Sequence, residues 1–176
     1  MELVSNVVPD GCTKLHLCIN SPGGNVRVAI GCASFLKALP CEIVTYNIAR
    51  VDSAAILLFS IGDKRICCPQ SCFYAHSMSV VLNGNYTCEK LRAEVMSLRR
   101  DLRSSLDFLT RSTKIAKTKW KLLMSEMGTY IDAKNALDLG LATEIKPFAI
   151  SNDAILLAVT KDGIRKQNKL RKSKVT

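Results

Sequence analysis

The chain has 176 residues, 48% of them apolar and 23% charged, enough to bury one hydrophobic core and incompatible with wholesale disorder. Apolar runs such as residues 54–59 are far shorter than a membrane span. The formal net charge of +10 invites a nucleic-acid reading, yet it is local: residues 161–176 hold seven Lys/Arg against one Asp, residues 89–121 hold ten against four acids, and the rest is slightly acidic.

Residues 1–10 carry Glu2 and no basic stretch, so no secretory leader is expected and the expected compartment is cytoplasmic. The first strand is predicted at residues 14–19, where Leu15, Leu17 and Ile19 alternate with Lys14, His16 and Cys18. Asn20, Ser21, Pro22, Gly23 and Gly24 break it. A helix is predicted over residues 25–39, apolar on two sides and therefore largely buried, with Pro40 ending it. A strand follows at 42–48, a short link at 49–52, and a buried helix from Ser53 to Gly62. Short strands are predicted at 65–68 and 72–75, the second arriving at His76. This alternation of strand and helix predicts an α/β fold.

Residues 77–86 read as extended, with Asn83-Gly84-Asn85 as a turn. Thr87 is placed to cap a long amphipathic helix whose Leu91, Val95, Leu98, Leu102, Leu106 and Leu109 recur at three- and four-residue steps. A second helical stretch is predicted over 113–127 and a short helix over 132–139, closed by Gly140. A strand is expected at 141–145, with a last element at 154–160. The basic positions beside the leucine stripe read as solvated, and Trp120 as a packing residue.

The eight cysteines include no C-x-x-C pair, and the only histidines are His16 and His76. This pattern supports neither a zinc site nor a disulfide framework. No metal or cofactor is expected, and the thiols read as small buried residues.

Three positions could carry chemistry. Ser53 opens a buried helix directly after a strand; it is either an N-cap or a nucleophile whose next N–H, that of Ala54, donates to an oxyanion. His76 ends a second strand and could take a serine proton. Gly24 could donate a second oxyanion N–H, because no Cβ blocks a substrate carbonyl. Each has a plainer structural role when taken alone.

Together they carry a resemblance. I-N-S-P-G-G-N at 19–25, the 29-residue step from Gly24 to Ser53, A-R-V-D-S-A-A at 49–55, the segment 63–76 ending in His76, and A-L-D-L-G-L-A-T-E-I at 136–145 resemble, in order, motifs of the Clp protease proteolytic subunit (ClpP) family. The resemblance spans residues 14–145. It implies a ClpP/crotonase-like ββα spiral with a protruding long helix, the handle, at about 87–127. The peptidase domain would occupy 1–150, and 151–176 would be a C-terminal extension ending in a basic disordered tail.

The implied activity is a serine endopeptidase with Ser53 as nucleophile, His76 as general base, and the Gly24 and Ala54 N–H groups as oxyanion hole. Residues 77–86 would pair with an extended peptide or unfolded-protein substrate. The implied assembly is a homo-oligomer or a ring with paralogues. Two departures qualify the match. The family's third triad acid aligns with Gly128, leaving Glu126 and Asp132 as the nearby carboxylates. The stretch before residue 14 is short, which leaves an ATPase unfoldase partner open. A catalytically degenerate ring subunit is therefore the first alternative. A basic nucleic-acid module is the second, with neither membrane nor nucleic acid expected as a partner. A crotonase-type acyl-CoA enzyme is disfavoured, because that chemistry does not need this Ser/His pair.

Overall fold

The structure, a computed structural model, describes residues 12–149 and the backbone of 156–160 and 163–167. Residues Thr13–Pro147 form one compact unit, and a second is drawn from the two ends of the chain. In the main unit the elements run β1 (Lys14–Ser21), α1 (Val26–Lys37), β2 (Glu42–Asp52), α2 (Ala55–Ser60), β3 (Lys64–Cys67), β4 (Cys72–Ala75), α3 (Cys88–Thr113), α4 (Lys117–Leu123), β5 (Thr129–Asp132), α5 (Ala133–Leu139) and β6 (Glu144–Ile145). The predicted α/β class, with a long helix, is what is found.

The pivot of the sheet is β2. Its first half pairs in parallel with β1, Lys14 opposite Glu42 through Ile19 opposite Asn47, and with β3 over Val44–Asn47. Its second half pairs with β4, Arg50 opposite Cys72 and Asp52 opposite Tyr74. The expected link at 49–52 is therefore strand, because β4 supplies the ladder partners that a local reading of A-R-V-D cannot see. β5 adds antiparallel to β4, Tyr130 opposite Tyr74, and β6 adds to β3.

The core gathers Val51, Phe59, Phe73, Leu106, Trp120 and Ile131 with their neighbours, each contributing roughly 1.5–3 kcal/mol of hydrophobic stabilisation. Trp120 is a packing residue as predicted, and its Nε1–H donates to Thr113 Oγ1 at 3.2 Å. Helix α1 corrects a prediction: only Ala29 and Ala33 are buried, and Val28 is 63% exposed. Its apolar residues outnumber the surface available in this chain to cover them. The cysteine reading is corrected too. Only Cys67 is buried, its thiol pushed up to about 11 by desolvation, while Cys18, Cys32 and Cys88 are exposed.

Thr87 caps α3, accepting from Lys90 N–H at 3.3 Å. The leucine stripe changes character along this helix: Leu91 and Val95 are exposed, whereas Leu106 and Leu109 are buried. The N-terminal turns of α3 therefore project from the body. The helix predicted over 113–127 is shorter, because Lys114 takes a left-handed conformation and splits it from α4. In the second unit β7 (Leu156–Thr160) pairs antiparallel with β8 (Gly163–Gln167). The backbone of 163–167 is thus strand within the stretch expected to be a disordered tail; the rest of 161–176 lies outside the described residues.

Arg65 ties two loops together, the one at Gly62 and the one at Gly140-Leu141. Its guanidinium donates to the carbonyls of Gly62 at 3.1 Å, Gly140 at 3.1 Å and Leu141 at 2.8 Å. Arg65→Met removes all three donors at once. Its expected cost is about 2–4 kcal/mol, read as a lower denaturant midpoint at unchanged slope.

Candidate active site

Ser53 stands between β2 and α2 with φ of +53°. A left-handed backbone is uncommon for a residue with a side chain and persists only where the surroundings hold it. Two backbone bonds do so: Ser53 N–H donates to Tyr74 O at 2.8 Å, and Ser53 O accepts from Ile56 N–H at 3.1 Å. The N-cap of α2 is Ala54, with no side-chain capping bond. The Ser53 hydroxyl is thus not engaged as a helix cap.

The S-P-G-G-N turn is built against this serine. Ser21 Oγ accepts from Gly23 N–H at 3.2 Å, and Asn25 caps α1 by accepting from Arg27 and Val28. Gly23 has φ of +94°, and a Cβ there would lie 2.7 Å from both Asp52 O and Ser53 Cβ. Only glycine lets the two turns touch. Gly24, at φ of +150°, faces open space. Among the described residues neither Gly24 N–H nor Ala54 N–H has a hydrogen-bond partner.

His76 lines the same cleft as Ser53, together with Ala54, Leu57, Trp120 and Met124. Its Nδ1 lies 2.7 Å from Ser77 O. A carbonyl can only accept, so Nδ1 carries the proton and the neutral ring keeps its lone pair on Nε2. That is the tautomer a general base needs when a serine lies on the Nε2 side. No direct Ser53–His76 hydrogen bond is made among the described residues.

Neither candidate acid bonds His76 among the described residues. Asp132 caps α5, accepting from Asn135 N–H at 2.7 Å. It stands opposite Cys72, at the far end of β4 from His76. Glu126 is exposed, in the turn whose Ser125 O accepts from Ser77 N–H at 3.2 Å. Among the described residues no carboxylate bonds His76.

Sequence reasoning passed over three neighbours. Asp52, directly before Ser53, is 3% exposed. It pairs with Arg50, and its Oδ1 has no partner. Gly23 was read only as a turn. Tyr74 stacks on His76, with ring centroids 5.3 Å apart. The one available signal for Tyr74 was its place two residues before His76, which puts both on one face of an extended strand.

Among the described residues no three His, Cys, Asp or Glu side chains converge to hold a metal, and no helix is long and apolar enough to cross a membrane.

A model of the Clp protease family matches residues 6–147. The chain is 26% identical over 138 residues to an ATP-dependent Clp protease proteolytic subunit of Paracoccus denitrificans, covering 77% of this chain and 68% of that protein. It is 26% identical to proteolytic subunit 1 of Rhodopirellula baltica, covering 74% and 57%. It is 28% identical to proteolytic subunit 2 of Chlamydia trachomatis, covering 82% and 70%.

Proposed function

The chain belongs to the Clp protease family, and from that premise we propose that it is a serine-type endopeptidase subunit acting through Ser53 and His76. Ser53 Oγ attacks a peptide carbonyl as His76 Nε2 takes its proton. The developing oxyanion sits between Gly24 N–H and Ala54 N–H. The amine leaves with the proton from His76, and water then hydrolyses the acyl-serine by the reverse relay.

The observation that carries this reading is the left-handed Ser53. A capping serine has extended backbone and an engaged hydroxyl; this one has neither. Assembly into a cytoplasmic ring of copies or paralogues fits the exposed stripe on α3, where Leu91, Val95 and Met96 are 42%, 47% and 71% exposed. A partner ATPase belongs to the same proposal. A second reading, a ring subunit without turnover, is favoured by the lack of a carboxylate at His76 among the described residues.

One experiment separates the two. A fluorophosphonate probe is expected to label the chain stoichiometrically, with the adduct mapped by mass spectrometry to Ser53 and absent from Ser53→Ala. A wild-type chain that is folded, assembled and unlabelled supports the non-catalytic subunit.

A further inference from the structure

A single hydrogen bond at Nδ1 does not stop an imidazole from rotating away and breaking it, so something else must hold the ring against Ser77 O. We infer that Tyr74 is the positioning residue of His76, holding the ring by stacking where no carboxylate reaches it; this rests on the reading of His76 as the base. The two rings lie 28° from parallel at 5.3 Å between centroids. An aromatic face at this distance also attracts a cation. It therefore favours the imidazolium that forms when His76 accepts the Ser53 proton.

Tyr74 is itself tightly held. Its hydroxyl donates to Met127 O at 3.2 Å. Its ring also meets Tyr130 at 4.5 Å between centroids, which is its partner in the β4–β5 ladder. Behind Tyr130 sits the Arg50 guanidinium, 5.8 Å from the ring centroid and paired with Asp52.

The space for Tyr74 exists because residue 128 is glycine. Gly128 has φ of +68°, and a Cβ there would lie 2.5 Å from Tyr74 Cζ and 2.6 Å from Cε2. A side chain at 128 would require the tyrosine ring to shift. Gly128 is the position at which the family pattern carries its acid. In this chain the Tyr74 ring, from the neighbouring strand, lies against that position.

The test combines nitrogen NMR of the histidines with the fluorophosphonate rate. The chain has only two histidines, so a His16→Gln control assigns the spectrum. In the wild type His76 is expected to show a protonated Nδ1 and an unprotonated Nε2. Tyr74→Ala is expected to mix the tautomers and slow Ser53 acylation by about tenfold or more. Tyr74→Phe keeps the stacking ring and is expected to recover the nitrogen pattern and most of the rate. If Tyr74→Ala folds poorly by circular dichroism, Tyr74→Leu keeps the volume without the aromatic face and carries the same expectation. Wild-type His76 nitrogen shifts in a folded Ala or Leu variant overturn the inference. An unlabelled wild type overturns the peptidase reading instead, and the nitrogen shifts still judge Tyr74.

Discussion

His76→Ala is expected to lower the rate of Ser53 acylation by about 10³-fold or more, with the circular dichroism spectrum unchanged. The expectation follows from the ring's two ends. Nδ1–H is committed to Ser77 O at 2.7 Å, so the free lone pair is on Nε2, and the ring shares its cleft with Ser53. Without that lone pair, the serine proton has no acceptor built into the site. His76→Gln sharpens the measurement. Its amide can still donate a hydrogen bond, yet it cannot take a proton at neutral pH. An equal loss in both variants identifies proton transfer as what is missing. A rate within about twofold of wild type in either variant would remove His76 from the reaction.

Gly23→Ala is expected to damage fold and activity together, by about 2–4 kcal/mol of stability and a near-complete loss of acylation. The added methyl meets Asp52 O and Ser53 Cβ at 2.7 Å and Ala54 N at 3.0 Å. It would do so on a backbone at φ of +94° that already disfavours a side chain. The three atoms it meets belong to the turn that presents Ser53, so relaxation must displace Ser53 or the Ala54 N–H beside it, the proposed nucleophile and oxyanion donor. Gly24→Ala is the matched comparison. Its Cβ faces open space, so only backbone strain applies, about 1–3 kcal/mol. Its larger effect falls on the rate, roughly 10²–10³-fold if the Gly24 N–H is an oxyanion donor. Chemical denaturation and probe-labelling rates, measured on both variants, separate packing from transition-state stabilisation. A Gly23→Ala chain with wild-type midpoint and rate would refute the steric argument.

Much of the site's raw material was visible in the chain. Strand β4 was predicted at its observed limits, because C-F-Y-A is bounded by a Pro-Gln-Ser turn. The Thr87 cap and the long helix were legible from one polar residue and a repeating leucine. Other features were not. β5 carries no strong strand pattern in T-Y-I-D; it is a strand because β4 offers an open edge. Burial of α1 was overestimated, because apolar periodicity reports which face could be covered and not whether a covering surface exists.

Asp132 shows the same limit within the site. By count it lies near the position expected for an acid partner of His76, which makes it a candidate in the sequence. In the fold it is a helix cap, satisfied by Asn135 N–H at the opposite end of β4. Sequence distance along a turn says little about which way a carboxylate faces.

The order and spacing of Gly24, Ser53 and His76 are written in the chain, since turns, strand ends and helix starts depend on near neighbours. The family assignment rests on the same local signals. The orientation of those groups is not local. The left-handed Ser53 is held by a carbonyl from β4, and the glycine turn reaches it across the end of β2. The plane of His76 depends on a tyrosine that fits because residue 128 has no side chain. Such contacts join segments as far apart as residues 23, 53, 76 and 128, and only packing brings them together. The chain therefore sets the order and spacing of these groups, and the folded sheet sets the angle at which they meet.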